Sequence, residues 1–72
     1  MNRDEVLKIF SENLRAERAR KKYSQEILAE KANITQKTLY EIENQKRNPT
    51  ILVVTNLALA LEISIDKLMP LT

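Results

Sequence analysis

Apolar residues recur along this chain at helical spacing, in short blocks separated by capping residues. Over residues 3–21, Val6, Phe10 and Leu14 return every fourth position with Leu7 beside them, giving one apolar stripe on a helix that starts near Asn2 or Asp4. Ser24, followed by Gln25 and Glu26, is an N-cap pattern and predicts a second helix ending near Ala32. Asn33 is the best residue on hand for a left-handed turn in a chain with no glycine. Thr35 caps a third helix that ends near Asn44, and Thr50, after Pro49, caps a fourth that runs to about Leu61. Ser64 opens a short fifth helix through Leu68, and Pro70 stops it. The expected fold is all-α, with five short helices, residues 1–72 forming one domain.

Two of these helices have unusual faces. On a helical wheel of residues 36–44, Leu39 and Ile42 fall on one side, while Gln36, Lys37, Tyr40, Glu41 and Asn44 spread over the other. Such a helix is pinned by two apolar residues and offers long polar groups outward. Leu28, Ala29 and Ala32 can face the same core from the preceding helix, and the small Ala29 allows a steep crossing over a short turn. The fourth helix has the opposite character. Ile51, Val54, Leu57, Ala58 and Leu61 make one core face, yet Leu52 and Leu59 lie together on the other side, flanked by Val53 and Ala60. Either that second face packs on the N-terminal residues, or another chain covers it.

Composition favours another chain. A domain of 72 residues has a marginal core, and with no cysteine and no histidine it has neither disulfides nor an ordinary zinc site. No cofactor, metal or small-molecule ligand is expected. No apolar run is long enough to span a membrane, and MNRDEVLKIF has no signal-peptide pattern, so a soluble cytoplasmic protein is expected. The net charge of +2 hides a basic block: Arg15, Arg18, Arg20, Lys21 and Lys22 against Glu17 leave +4 over residues 15–22. Residues 48–72, with Lys67 against Glu62 and Asp66, carry −1. This asymmetry suits a polyanion on one side of the molecule.

The basic first helix ending LRAERARKKYSQ, the pair SQEILAEKA and ITQKTLYEIE, the tail NQKRNP and the closing LALALEISIDKLM stand in one order and spacing. Together they resemble the helix-turn-helix of the lambda-repressor-like family, the Cro, repressor and Xre-type proteins. The resemblance covers nearly the whole chain and places the helix-turn-helix at residues 24–44. It implies a five-helix DNA-binding domain whose third helix enters the major groove of double-stranded DNA.

Side-chain chemistry agrees with that implication. Gln36 can make paired hydrogen bonds to adenine, Lys37 can donate to guanine O6 and N7, and Glu41 can accept from cytosine N4. Thr38 can meet a thymine methyl or a phosphate, and Tyr40 completes the candidate base-reading set. Gln25 at a helix start, with Asn44, Lys46 and Arg47 after the third helix, forms the candidate phosphate-binding set. In relatives the matching glutamine contacts a phosphate and braces the third helix. The resemblance also places Arg18 opposite Glu43 as a structural ion pair. Relatives carry glycine at the positions of Lys22, Asn33, Asn44 and Glu62, and asparagine is the cheap replacement in a left-handed conformation. Ile27 stands where relatives often have a polar residue.

Relatives commonly dimerise through their last helices. A two-fold homodimer is therefore expected through region 50–72, using Leu52, Leu59, Ile65, Met69 and Leu71, with two reading helices about 34 Å apart on a palindromic site. The expected function is a sequence-specific transcriptional regulator of the repressor or restriction–modification controller type, controlled by its own concentration. The alternative is an antitoxin-like interaction module whose fourth-helix face binds a different chain. An enzyme is not expected, because no catalytic histidine, cysteine or glycine-rich phosphate loop is present.

Overall fold

The computed structural model describes residues 1–69, in the order α1 (Arg3–Lys21), α2 (Gln25–Lys31), α3 (Gln36–Glu43), α4 (Ile51–Leu61) and a single 3₁₀ turn (Ile65–Lys67). The fifth element is thus one turn of three residues instead of an α-helix. No strand occurs among the described residues.

Each helix start is fixed by a side chain. The Glu5 N–H donates to Asn2 Oδ1 at 2.9 Å and the Asn2 N–H donates to Glu5 Oε1 at 3.3 Å, a reciprocal capping box. Ser24, Thr35 and Thr50 each accept from the backbone N–H three residues on, at Ile27, Thr38 and Val53.

All four α-helices end in the same way. The N–H of a left-handed residue and the N–H after it fold back onto carbonyls of the last turn. The pairs are Lys22 and Tyr23 onto Ala19 and Arg18, Asn33 and Ile34 onto Glu30 and Ala29, Gln45 and Lys46 onto Ile42 and Glu41, and Glu62 and Ile63 onto Leu59 and Ala58. The left-handed residues are Lys22 (φ 61°), Asn33 (φ 59°), Gln45 (φ 61°) and Glu62 (φ 57°). At the end of α3 the turn falls one residue beyond the position where asparagine would have suited it: Asn44 keeps φ −106° and Gln45 carries the strain. Four Cβ-bearing residues therefore sit where glycine is favoured, and only Asn33 among them is of a type that tolerates the conformation cheaply. Replacing Lys22, Gln45 or Glu62 singly by glycine should raise unfolding free energy by about 0.5–1 kcal/mol each, after allowing for the greater freedom of glycine in the unfolded chain. Urea midpoints test this, and unchanged or lower midpoints would contradict it.

The core joins all the elements. Phe10 and Leu14 from α1, Leu28 and Ala29 from α2 with Ala32 after it, Leu39 and Ile42 from α3, Val54, Leu57, Ala58 and Leu61 from α4, and Leu68 are buried together. One residue expected here is elsewhere: Ile51 is 71% exposed. It stands in the first turn of α4, at the rim of the bundle, so the wheel angle that it shares with Val54 and Leu57 meets no partner layer. Two polar side chains of α1 reach across to other elements. The buried Ser11 hydroxyl donates to the Ile42 carbonyl at 2.8 Å, and Asn13 Nδ2 donates to the Leu68 carbonyl at 3.1 Å. The first ties α1 to α3, and the second seats the segment that follows the 3₁₀ turn.

Candidate nucleic-acid interface

Helix α3 is fixed at both ends and along one side. Thr35 caps its start, Leu39 and Ile42 are 0% and 1% exposed, and the Gln45 turn closes its end. Its other side is free. Gln36 and Lys37 are exposed on the first turn, and Tyr40 is 47% exposed one turn later. Thr38 is half-buried and its hydroxyl accepts from the Thr35 hydroxyl at 2.9 Å. Lys37 and Lys46 form no ion pair among the described residues, so both ammonium groups are open to an anion.

Behind this face lies a buried polar knot. Glu43, 1% exposed, receives Arg18 Nε on Oε2 at 2.7 Å and Arg18 Nη2 on Oε1 at 3.0 Å. Gln25 Nε2 donates to the same Oε1 at 2.9 Å, and Arg18 Nη1 donates to the Tyr23 carbonyl at 3.1 Å. A single carboxylate thereby joins α1, the turn after it, α2 and α3. No buried side-chain polar atom among the described residues lacks a partner. The knot sets the angle at which α3 leaves the body.

Gln25 is half-buried at the start of α2, its amide nitrogen turned toward Glu43. Asn44 is exposed, with Nδ2 folded back on the Tyr40 carbonyl at 2.8 Å. Arg47 and Glu41 form an ion pair with each other, with Arg47 Nε and Nη2 each 2.8 Å from Glu41 Oε1. The expected partners of these two residues are separate groups on DNA, cytosine for Glu41 and phosphate for Arg47, whereas in the free chain the two side chains meet each other.

On α4, Leu52 and Leu59 are 73% and 70% exposed, so they do not pack on the N-terminal residues. Ile65 and Met69 are half-buried, and Leu71 lies outside the described residues. Exposed Ile51 lines an open groove of about 450 Å³ together with Val6, Leu7, Phe10 and Met69. Ile27 is 43% exposed. No helix is long and apolar enough to cross a membrane, and no His, Cys, Asp or Glu cluster could hold a metal ion, among the described residues.

Sequence reasoning missed Ser11 and the extent of the Glu43 knot. A small polar residue on the apolar stripe, four after Leu7 and three before Leu14, was the available signal for Ser11.

Comparison with known proteins agrees with this geometry. A helix-turn-helix family profile matches residues 14–68. Among solved structures, the chain is similar to the restriction-modification controller protein C.AhdI from Aeromonas hydrophila, with 32% identity and a TM-score of 0.84 over 86% of this chain and 94% of that one. It is similar to the restriction-modification controller protein C.Esp1396I, with 33% identity and a TM-score of 0.78 over 81% of this chain and 74% of that one. The N-terminal DNA-binding domain of SinR from Bacillus subtilis matches at 30% identity and a TM-score of 0.78, over 83% of this chain and 88% of that one. No curated protein matches the sequence significantly. With a buried Leu39–Ile42 side, an open Gln36–Lys37 side and a family profile spanning most of its length, the chain belongs to the helix-turn-helix family of lambda-repressor-like transcriptional regulators.

Proposed function

We propose that this protein is a sequence-specific DNA-binding transcriptional regulator that binds a palindromic duplex site as a homodimer, with the first turns of α3 in the major groove. The observation that carries the reading is the anchored helix: Leu39 and Ile42 are buried while Gln36 and Lys37 project from the opposite side. A forked amide and an ammonium near a helix start suit adenine and guanine edges. Thr38, Tyr40 and Glu41 border that set, and Gln25, Asn44, Lys46 and Arg47 flank it as backbone contacts that fix register. The exposed Leu52 and Leu59 of α4 support self-association, as does the apolar surface running from Ile51 to Met69.

Lysine variants test the division of labour on a site selected from random duplexes. Lys37→Ala should weaken that site by about 1–3 kcal/mol and relax the preference at one base position. Lys46→Ala should weaken all duplexes alike and reduce the slope of log affinity against log salt by about one. Binding titrations against single-base variants separate these outcomes. An unchanged site preference for Lys37→Ala would remove Lys37 from the reading face.

A further inference from the structure

The Glu41–Arg47 pair is an unusual feature for a DNA-facing surface, because it sets a carboxylate beside the groove. Two bonds make it a built arrangement. The left-handed turn at Gln45 returns the chain so that the Lys46 N–H donates to the Glu41 carbonyl at 2.7 Å. Glu41 Oε1 then accepts from Arg47 Nε at 2.8 Å, and Arg47 Nη2 lies 2.8 Å from the same oxygen in the ion pair. One residue therefore holds the returning segment by its backbone and by its side chain. The Arg47 side chain is 50% exposed, against 23% for Glu41. Pairing through Nε and Nη2 occupies one edge of the planar guanidinium, and the N–H groups on Nη1 and the outer N–H of Nη2 remain for a second acceptor.

We propose that Glu41 is a positioning residue that acts through Arg47: it fixes the guanidinium beside the end of α3, with the free edge open to a forked oxygen or nitrogen acceptor on the duplex. That acceptor chemistry is offered by a phosphate or by guanine O6 and N7. The assignment rests on the DNA-binding reading above and revises the role of Glu41 within it, from base reader to support. It also explains how a negative side chain is tolerated there. A lone carboxylate near phosphates repels them, whereas one that orders an arginine removes the entropy that a long side chain would otherwise lose on binding.

The two roles predict opposite signs, so a double-mutant cycle on the selected duplex decides between them. If Glu41 were only a nearby negative charge, Glu41→Ala would tighten binding. As a support for Arg47, Glu41→Ala weakens binding roughly three- to tenfold, and in an Arg47→Ala background the same change has an effect within about twofold. Glu41→Gln keeps an acceptor oxygen for Nε and restores most of the affinity. The Arg47→Ala variant identifies the acceptor: equal weakening on all duplexes points to phosphate, and lost preference at one guanine points to the base. Thermal melts of each variant check that the fold is kept. Tighter binding by Glu41→Ala, or an equal loss in both backgrounds, would overturn the assignment while leaving the regulator reading intact. A wild-type chain that binds no duplex would remove that reading instead.

Discussion

Replacing Arg18 by alanine should lower the stability of this domain by about 3–5 kcal/mol, while replacing Arg20 should change it by no more than about 0.5 kcal/mol. The two residues are neighbours in a basic block, and their surroundings explain the difference. Arg18 gives two bonds to a carboxylate that is 1% exposed and a third to the Tyr23 carbonyl. Without the guanidinium, Glu43 keeps only Gln25 as a side-chain partner and is buried with an uncompensated charge. Arg20 has a side chain that is 72% exposed and meets the largely buried Glu17 at 3.4 Å from the solvent side, where screening by water keeps its contribution small. A loss of 3–5 kcal/mol is a large share of the 5–15 kcal/mol typical of whole domains. Urea denaturation of both variants measures the contrast, and equal midpoints would contradict it. An Arg18→Met, Glu43→Leu double variant separates the penalty of an orphaned charge from the worth of the pair. It should recover most of the stability lost by Arg18→Ala.

The second large effect concerns assembly. Leu52→Ser with Leu59→Ser should leave the protomer folded, convert a dimer to a monomer and reduce affinity for a palindromic site by about 10²–10⁴-fold. The serine pair leaves net charge unchanged, so a fall in affinity cannot come from repulsion of DNA. The fold should survive because these two side chains are mostly exposed within the protomer. Burying each leucine against a partner would contribute about 1.5–3 kcal/mol, enough for four such side chains to decide the association. Light scattering and binding titrations on one preparation test both parts. A wild-type monomer, or a serine variant that remains dimeric, would contradict the assignment of this face. A wild-type monomer would also favour the interaction-module alternative, in which a different chain covers α4.

Much of the fold was legible because it is written in local chemistry. The four-residue spacing of Val6, Phe10 and Leu14, and the caps at Asn2, Ser24, Thr35 and Thr50, depend on neighbours within one or two turns. The two-sided character of α3 follows from Leu39 and Ile42 alone. What was not legible depends on where elements end against one another. Asparagine tolerates the left-handed conformation better than glutamine, yet Gln45 adopts it, because the paired bonds to Ile42 and Glu41 fix the turn one residue later. Ile51 has the wheel angle of a core residue but stands at the rim. Past α4 the chain closes as the 3₁₀ turn Ile65–Lys67, beside which the Ser64 hydroxyl donates to the Asp66 carboxylate. That bond is the main cause holding the Asp66 carboxyl below its ordinary range. The Glu41–Arg47 pair and the Ser11 bond join residues through a turn or across the core; the place of Ser11 on the apolar stripe signals that it is buried, but periodicity does not name the partner in either contact.

In the proposed complex Gln36 and Lys37 meet base edges in the major groove. Replacing single purines of the selected site by their 7-deaza analogues tests it most directly, because this removes the N7 acceptor from the major groove while keeping base pairing and the minor-groove edge. Affinity should fall at a few purines in each half-site, and Lys37→Ala should abolish the penalty at one of them. Binding that is indifferent to every 7-deaza substitution would contradict it.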